Sequence, residues 1–243
     1  MTVAPTSVQP RPEHQRSRWL LVGILAFLLG GLAVALLDHL DVFGSSSSSS
    51  SEGSGVPATQ TRDVAPFSSV ELAGGNNVVI RVGERRSVVV KADDNLLNRV
   101  TTDVKSGALV IGNTPGSLTA KSPMSVEVSV PSLNALALTG SGNIMVSGIK
   151  TERLTVTLSG SGNLFGSGTA TSLDITVSGS GNARFTQLDA NNVHAVVSGS
   201  GVILVTATKS LDASVPGSGT IMYSGNPQDV KKSVTGSGAI TGG

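Results

Sequence analysis

Residues 154–163 read LTVTLSGSGN, and the phrase returns at 173–182 as LDITVSGSGN, at 193–202 as VHAVVSGSGV, at 211–220 as LDASVPGSGT and at 230–239 as VKKSVTGSGA. Its Gly-Ser-Gly centre stands six times, at Gly140 and Gly142, Gly160 and Gly162, Gly179 and Gly181, Gly199 and Gly201, Gly217 and Gly219, and Gly236 and Gly238. Successive copies begin 20, 19, 20, 18 and 19 residues apart. A period that regular is the mark of a solenoid, in which each repeat is too small to bury its own apolar edge and stacking closes the core.

Within the phrase the apolar residues fall two apart, the period of a strand. Leu154, Leu173, Val193, Leu211 and Val230 share one parity with Leu158, Val177, Val197, Val215 and Val234, and these are expected to face inward. Past the glycines, Ile144, Leu164, Ala183, Ile203, Ile221 and Ile240 resume that parity, so each coil is expected to run strand, Gly-Ser-Gly bend, strand. Both glycines share the inward parity, which places them where only a hydrogen fits or where φ must be positive. The serine between them points outward. Coils stacked about 4.8 Å apart build parallel sheets with ladders of like residues, including a short asparagine ladder of Asn143, Asn163 and Asn182.

The longer run from about Val64 to Gly243, with VELAGGNNVVIRVG, ADDNLLNRV, ALVIGN and VEVSVPSLNALALTGSGN ahead of the later Gly-Ser-Gly copies, resembles the "Putative auto-transporter adhesin, head GIN domain" family. That resemblance implies an all-β, single-stranded parallel β-helix, expected as a right-handed solenoid with coils of about 19 residues, on the envelope side of a bacterium. The chain departs from an auto-transporter in having no segment that would form an outer-membrane translocator barrel.

The first quarter of the 243 residues reads differently. Residues 1–18 are polar, with Pro5, Pro10, Pro12, Arg11, Arg16 and Arg18, and are expected to be a disordered cytoplasmic tail. Residues 19–37, WLLVGILAFLLGGLAVALL, form an apolar run long enough to cross a bilayer. Arginines precede it while Asp38 and Asp41 follow it, which orients it as a signal anchor with the C-terminal region outside. The competing reading is a signal peptide cleaved after Ala33-Val34-Ala35 to release a secreted protein; the apolar run continuing past that site favours the anchor. Residues 38–63, with GSSSSSSSEGSG at 44–55, read as a Ser/Gly-rich linker. Residues 64–243 then form the β-helix domain: 64–131 as irregular first coils that cap its N-terminal end, and 132–243 as the Gly-Ser-Gly repeats.

Cysteine is absent, which excludes a disulfide framework, a thiolate nucleophile and a structural zinc cluster. From Asp63 onward 13 Lys and Arg face 12 Asp and Glu, a balance that argues against a nucleic-acid partner. His14, His39 and His194 lie in separate regions, no calcium loop is present, and the repeated glycines lack the Lys-Ser/Thr of a phosphate loop. No cofactor or metal site is expected.

One column of titratable residues can be placed. Five positions before each first glycine stand Asp174, His194, Asp212 and Lys231, which stack outward as acid, base, acid, base. A catalytic reading would make His194 a general base, or Asp174 and Asp212, two coils apart, the carboxylate pair of a glycosidase. The bland reading is a stabilising charge ladder, and it is the stronger one because no nucleophile or aromatic platform joins the column. Four positions before each glycine the inward residues are Val156, Ile175, Ala195 and Ala213, then Lys232, whose charge is expected to blunt the last strand edge. The sequence therefore points to a non-catalytic, membrane-anchored envelope module that binds cell-wall glycan or a surface protein. A β-helix polysaccharide lyase or hydrolase is the alternative, and an envelope-stress sensor the second.

Overall fold

The computed structural model describes residues 50–243. The expected cytoplasmic tail, membrane-spanning run and residues 38–49 of the linker lie outside the described residues. Among the described residues no helix is long and apolar enough to cross a membrane.

The alternating segments become strands throughout: β1 (Ser51–Glu52), β2 (Pro57–Arg62), β3 (Ser69–Leu72), β4 (Asn77–Val82), β5 (Ser87–Asp93), β6 (Val100–Lys105), β7 (Ala108–Asn113), β8 (Leu118–Thr119) and β9 (Ser125–Val130). The repeats supply β10 (Ala135–Leu138), β11 (Asn143–Leu158), β12 (Asn163–Val177), β13 (Asn182–Val197), β14 (Val202–Val215), β15 (Thr220–Ser224), β16 (Asp229–Val234) and β17 (Ala239–Gly242). Apart from one 3-10 turn, Asp94–Arg99, the described residues are all-β and form a solenoid of about five turns. Every strand pair within the repeats is parallel.

Each long strand spans more than one side of a coil. Its first part lies on a face we term B and its last part on a face we term A; the Gly-Ser-Gly corner then carries the chain from A back to B. On face A, Leu154 pairs with Leu173, Leu173 with Val193, Val193 with Leu211, and Leu211 with Val230. On face B, Ile144, Leu164, Ala183, Ile203 and Ile221 follow in the same way, all fully buried. Each large aliphatic side chain buried in such a column contributes on the order of 1.5–3 kcal/mol before entropy is counted.

The corner works by contact. None of the glycines in the Gly-Ser-Gly copies has a positive φ. A Cβ on Gly160 would instead fall well inside 3.0 Å of the Gly140 carbonyl oxygen, one on Gly179 would strike the Gly160 oxygen, and one on Gly199 the Gly179 oxygen. The serines between them are exposed.

A second corner separates face B from a short third side and breaks the ladder register, between Val146 and Ile149 in β11 and between Phe185 and Asp189 where β13 meets β14. The expected strand, bend, strand coil therefore lacks one turn. Some coils make that turn with a left-handed glycine, Gly148 or Gly168, whereas β13 bulges through Thr186, Gln187 and Leu188. Phe185 lies fully buried beneath this turn, its ring occupying the space a side chain at Gly166 would need.

The N-terminal part departs from a simple succession of coils. β3 pairs in parallel with both β7 and β10, and β4 with both β9 and β11. The coil laid down first, β3–β4, thus sits between the later β7–β9 coil and the repeats. Beyond it β5 pairs antiparallel with β9 and with β2, and β6 antiparallel with β7. In place of a series of irregular coils, the region is built of antiparallel edge strands and one interleaved coil.

The end of the expected linker belongs to the fold. β1 pairs with β8 and β2 with β5, and the fully buried Asp93 carboxylate accepts backbone N–H bonds from Gly55 at 3.2 Å, Lys121 at 2.8 Å and Ser122 at 3.3 Å. The Ser122 hydroxyl and these backbone donors hold the Asp93 carboxyl below its ordinary range, against the opposing effect of burial. A polar strap needs no apolar pattern when a buried acceptor ties it down, so composition gives no sign of it.

Two outcomes follow. Gly179→Val or Gly199→Val should cost more than about 3 kcal/mol or prevent folding, whereas Ser180→Ala or Ser200→Ala should stay within about 0.5 kcal/mol; equal losses in thermal melts would refute the corner contact. Because the folded-state pKa of Asp93 is depressed, its stabilisation is complete above the unfolded carboxyl value, roughly 3.9, and is lost as pH falls through the lower folded value. Amide exchange of residues 51–56 should therefore accelerate in that acid window, and Asp93→Asn should accelerate it at neutral pH as well.

Candidate functional site

Face A carries the charged column where the alternation puts it. Thr155 pairs with Asp174, Asp174 with His194, His194 with Asp212, and Asp212 with Lys231. Its members are engaged with one another and with a residue that sequence reasoning missed. Arg153 reaches across to Asp174, its guanidinium donating to Oδ2 at 2.8 Å, and His194 Nδ1 lies 3.7 Å from Asp212 Oδ2. Arg153 stands two positions before its own coil's column residue, Thr155, and meets Asp174 on a diagonal, a contact that position-by-position alignment of repeats does not show. Its side chain is 70% exposed, so the pair contributes at most about 1 kcal/mol. The column is a solvated polar ladder in which Asp174 faces Arg153 and Asp212 faces His194. Among the described residues no group of three His, Asp or Glu side chains is placed to hold a metal ion.

The asparagine ladder is longer than its motif. Asn163 donates to Asn143 at 2.8 Å and Asn182 to Asn163 at 3.0 Å, and Asn143 continues the series by donating to Asn77 at 2.9 Å. Asn77 follows Gly74-Gly75-Asn76 instead of Gly-Ser-Gly, which hid it from the repeat. Val202 ends the ladder in the next coil.

The third side bears an open groove of about 670 Å³, bordered by Lys150, Glu152, Asp189, Asn191, Thr171 and Thr208. It lies beside the bulged second corner, where coils of unequal length leave a step. Its walls are hydroxyl, amide and charged groups, the chemistry of a polar ligand.

Face B was not singled out in the sequence. Two positions past the asparagines, in register, stand Val79, Met145, Phe165, Arg184, Leu204 and Met222. Met145 is 56%, Phe165 36% and Met222 47% exposed. The period-two alternation could have found this column, since these residues occupy positions that should be polar.

At the far end Lys232 pairs with Ala213, which puts it in register with the inward column, although it is exposed. Its ammonium lies over the Tyr223 ring, 4.7 Å from the centroid. Val230 and Val234 beside it are 37% and 45% exposed, because no coil of the described residues covers them.

A family model, "Putative auto-transporter adhesin, head GIN domain", matches residues 66–227. The crystal structure of a "putative adhesin" from Bacteroides fragilis NCTC 9343 is 24% identical, with a TM-score of 0.67 over 79% of this chain and 99% of that one. A "putative lipid binding protein" and a "putative adhesin", both from Parabacteroides distasonis ATCC 8503, are 22% and 20% identical, with TM-scores of 0.55 and 0.56; each match covers 80% of this chain and 100% of the other. At these identities the likeness concerns the fold. No curated protein matches the chain.

The geometry of the last coil sets an expectation for Lys232. Replacing it by Val would leave an uninterrupted apolar row beside Val230 and Val234 on an unpaired strand edge, a template for a second chain. Lys232→Val should therefore shift the purified protein toward higher oligomers in sedimentation across a concentration series. An unchanged distribution would remove the capping role.

Proposed function

Because the chain belongs to the "Putative auto-transporter adhesin, head GIN domain" family, we propose that it is a membrane-anchored, non-catalytic module of the bacterial envelope that binds a surface polymer or protein. The observation that carries this reading is the repetition of outward columns in fixed register: charged on face A, amide and apolar on face B, each recurring about every 4.8 Å. A repeating partner, such as cell-wall glycan, meets such a surface with many weak contacts that add through multivalency. The apolar run at 19–37 would hold the domain on the outer side of the cytoplasmic membrane, with the N-terminal tail inside.

The pairing of Asp174 with Arg153 favours display over turnover at that carboxylate, since a general acid or base would need it free for a substrate proton. Protease added to cells with a permeabilised outer layer should cleave within residues 50–243 while the cytoplasmic membrane stays sealed; full protection would overturn the topology. Purified full-length protein in detergent should retain cell-wall glycan or an envelope protein without releasing new reducing ends or unsaturated sugars. Release of either product, abolished by Asp174→Asn or Asp212→Asn, would establish the lyase or hydrolase reading instead.

A further inference from the structure

The two outward columns differ although the same alternation creates both. Face A presents Thr155, Asp174, His194, Asp212 and Lys231, a fully water-compatible series. Face B presents Val79, Met145, Phe165, Arg184, Leu204 and Met222. Folding does not require the second set. The inward residues of the same strands, Ile144, Leu164, Ala183, Ile203 and Ile221, already fill the core at 0% exposure. Large apolar side chains lined up in water where polar ones would serve mark a contact surface.

We propose that face B docks on an anionic lipid bilayer, with Met145, Phe165, Leu204 and Met222 entering the boundary between headgroups and acyl chains and Arg81 and Arg184 binding lipid phosphates. Charge supports this occupant. From β11 to β15 no outward residue of face B is a carboxylate, and Glu127 of β9, which pairs with Val79, is bridged to Lys91, while Arg81 and Arg184 are both exposed cations. An arginine inside an apolar stripe suits a membrane surface, because its stem lies along the hydrocarbon while the guanidinium rises to the phosphates. Size separates a bilayer from a second protein. The stripe is one side chain wide and, over five rungs, about 24 Å long, well short of the roughly 800 Å² per partner of a stable protein interface. A lipid surface demands no such matched area.

The chain outside the structure makes the contact reachable. The apolar run ends at Leu37 and β1 begins at Ser51, so residues 38–50 span no more than about 45 Å even fully extended. β1 pairs with β8, which lies in the connection from β7 on face A to β9 on face B, so the tether joins the domain at the corner between the two faces. This proposal rests on the anchor reading above.

The chain has no cysteine, so single cysteines can be placed and labelled with a polarity-sensitive fluorophore. Met145→Cys reports face B and Thr176→Cys, an exposed position of face A, is its control. Full-length protein is reconstituted into vesicles of phosphatidylcholine and phosphatidylglycerol with brominated acyl chains. The Met145→Cys label should lose most of its emission and the Thr176→Cys label little. Adding Phe165→Asp and Leu204→Asp should restore emission at Met145→Cys without lowering the thermal midpoint, since both positions face outward. Emission unchanged by brominated lipid at Met145→Cys, equal quenching on both faces, or crosslinking between Met145→Cys copies on separate chains would each overturn the docking. Alkaline carbonate extraction of the same vesicles tests the anchor separately: a chain that is retained but unquenched defeats the docking alone, whereas a chain that is extracted defeats the anchor, and quenching before extraction still decides the docking.

Discussion

The whole solenoid depends on one close contact, glycine laid on glycine at the corner between faces A and B. Gly140, Gly160, Gly179 and Gly199 each bring backbone against the carbonyl of the coil beneath, at a separation no Cβ could share. That contact lets backbone hydrogen bonds continue around the bend, as in Gly181 N–H to Gly160 O at 3.2 Å and Asn182 N–H to Gly162 O at 3.1 Å. With the corners stacked, the segments of faces A and B that flank them are held in register, and like positions become columns. The asparagine ladder, the polar ladder of face A and the apolar stripe are all consequences of that register.

The second corner tolerates more. It is turned by Gly148 and Gly168 in left-handed conformations in some coils and by a bulge of Thr186–Leu188 in another. Variation in coil length between 18 and 20 residues is absorbed there, away from the glycine stack. Phe185, seated against Gly166, fills the irregular space this leaves in the core. The groove beside Asp189 and Asn191 is the outer surface of the same irregularity. Local variety in this family of coils is concentrated where it can shape a recognition surface without disturbing the ladder.

The ends are finished by different physics. At the N-terminal end antiparallel strands β2, β5 and β6 close the stack, and Asp93 gathers Gly55, Lys121 and Ser122 with a single buried carboxylate. Such a charge is tolerable in the interior only because several N–H donors surround it. At the other end a lysine over a tyrosine ring stands among half-exposed valines. One end is sealed by hydrogen bonding; the other sets a cation beside exposed valines.

The sequence by itself determined the repeat, the strand period, the inward columns and the placement of Asp174, His194, Asp212, Lys231 and Lys232, because in a parallel ladder the register copies linear spacing directly into space. It also marked which glycines were indispensable, though not whether sterics or φ was the reason. Only the tertiary structure decided that β3–β4 lies between β7–β9 and the repeats, that residues 51–62 belong to the cap, and that Arg153 takes Asp174. Those features depend on pairing between segments far apart in the chain or on diagonal reach of long side chains, neither of which follows from spacing within a repeat. The apolar stripe on face B stood between the two. Its residues were visible in the alternation, but their alignment into one exposed column required the coils to be stacked.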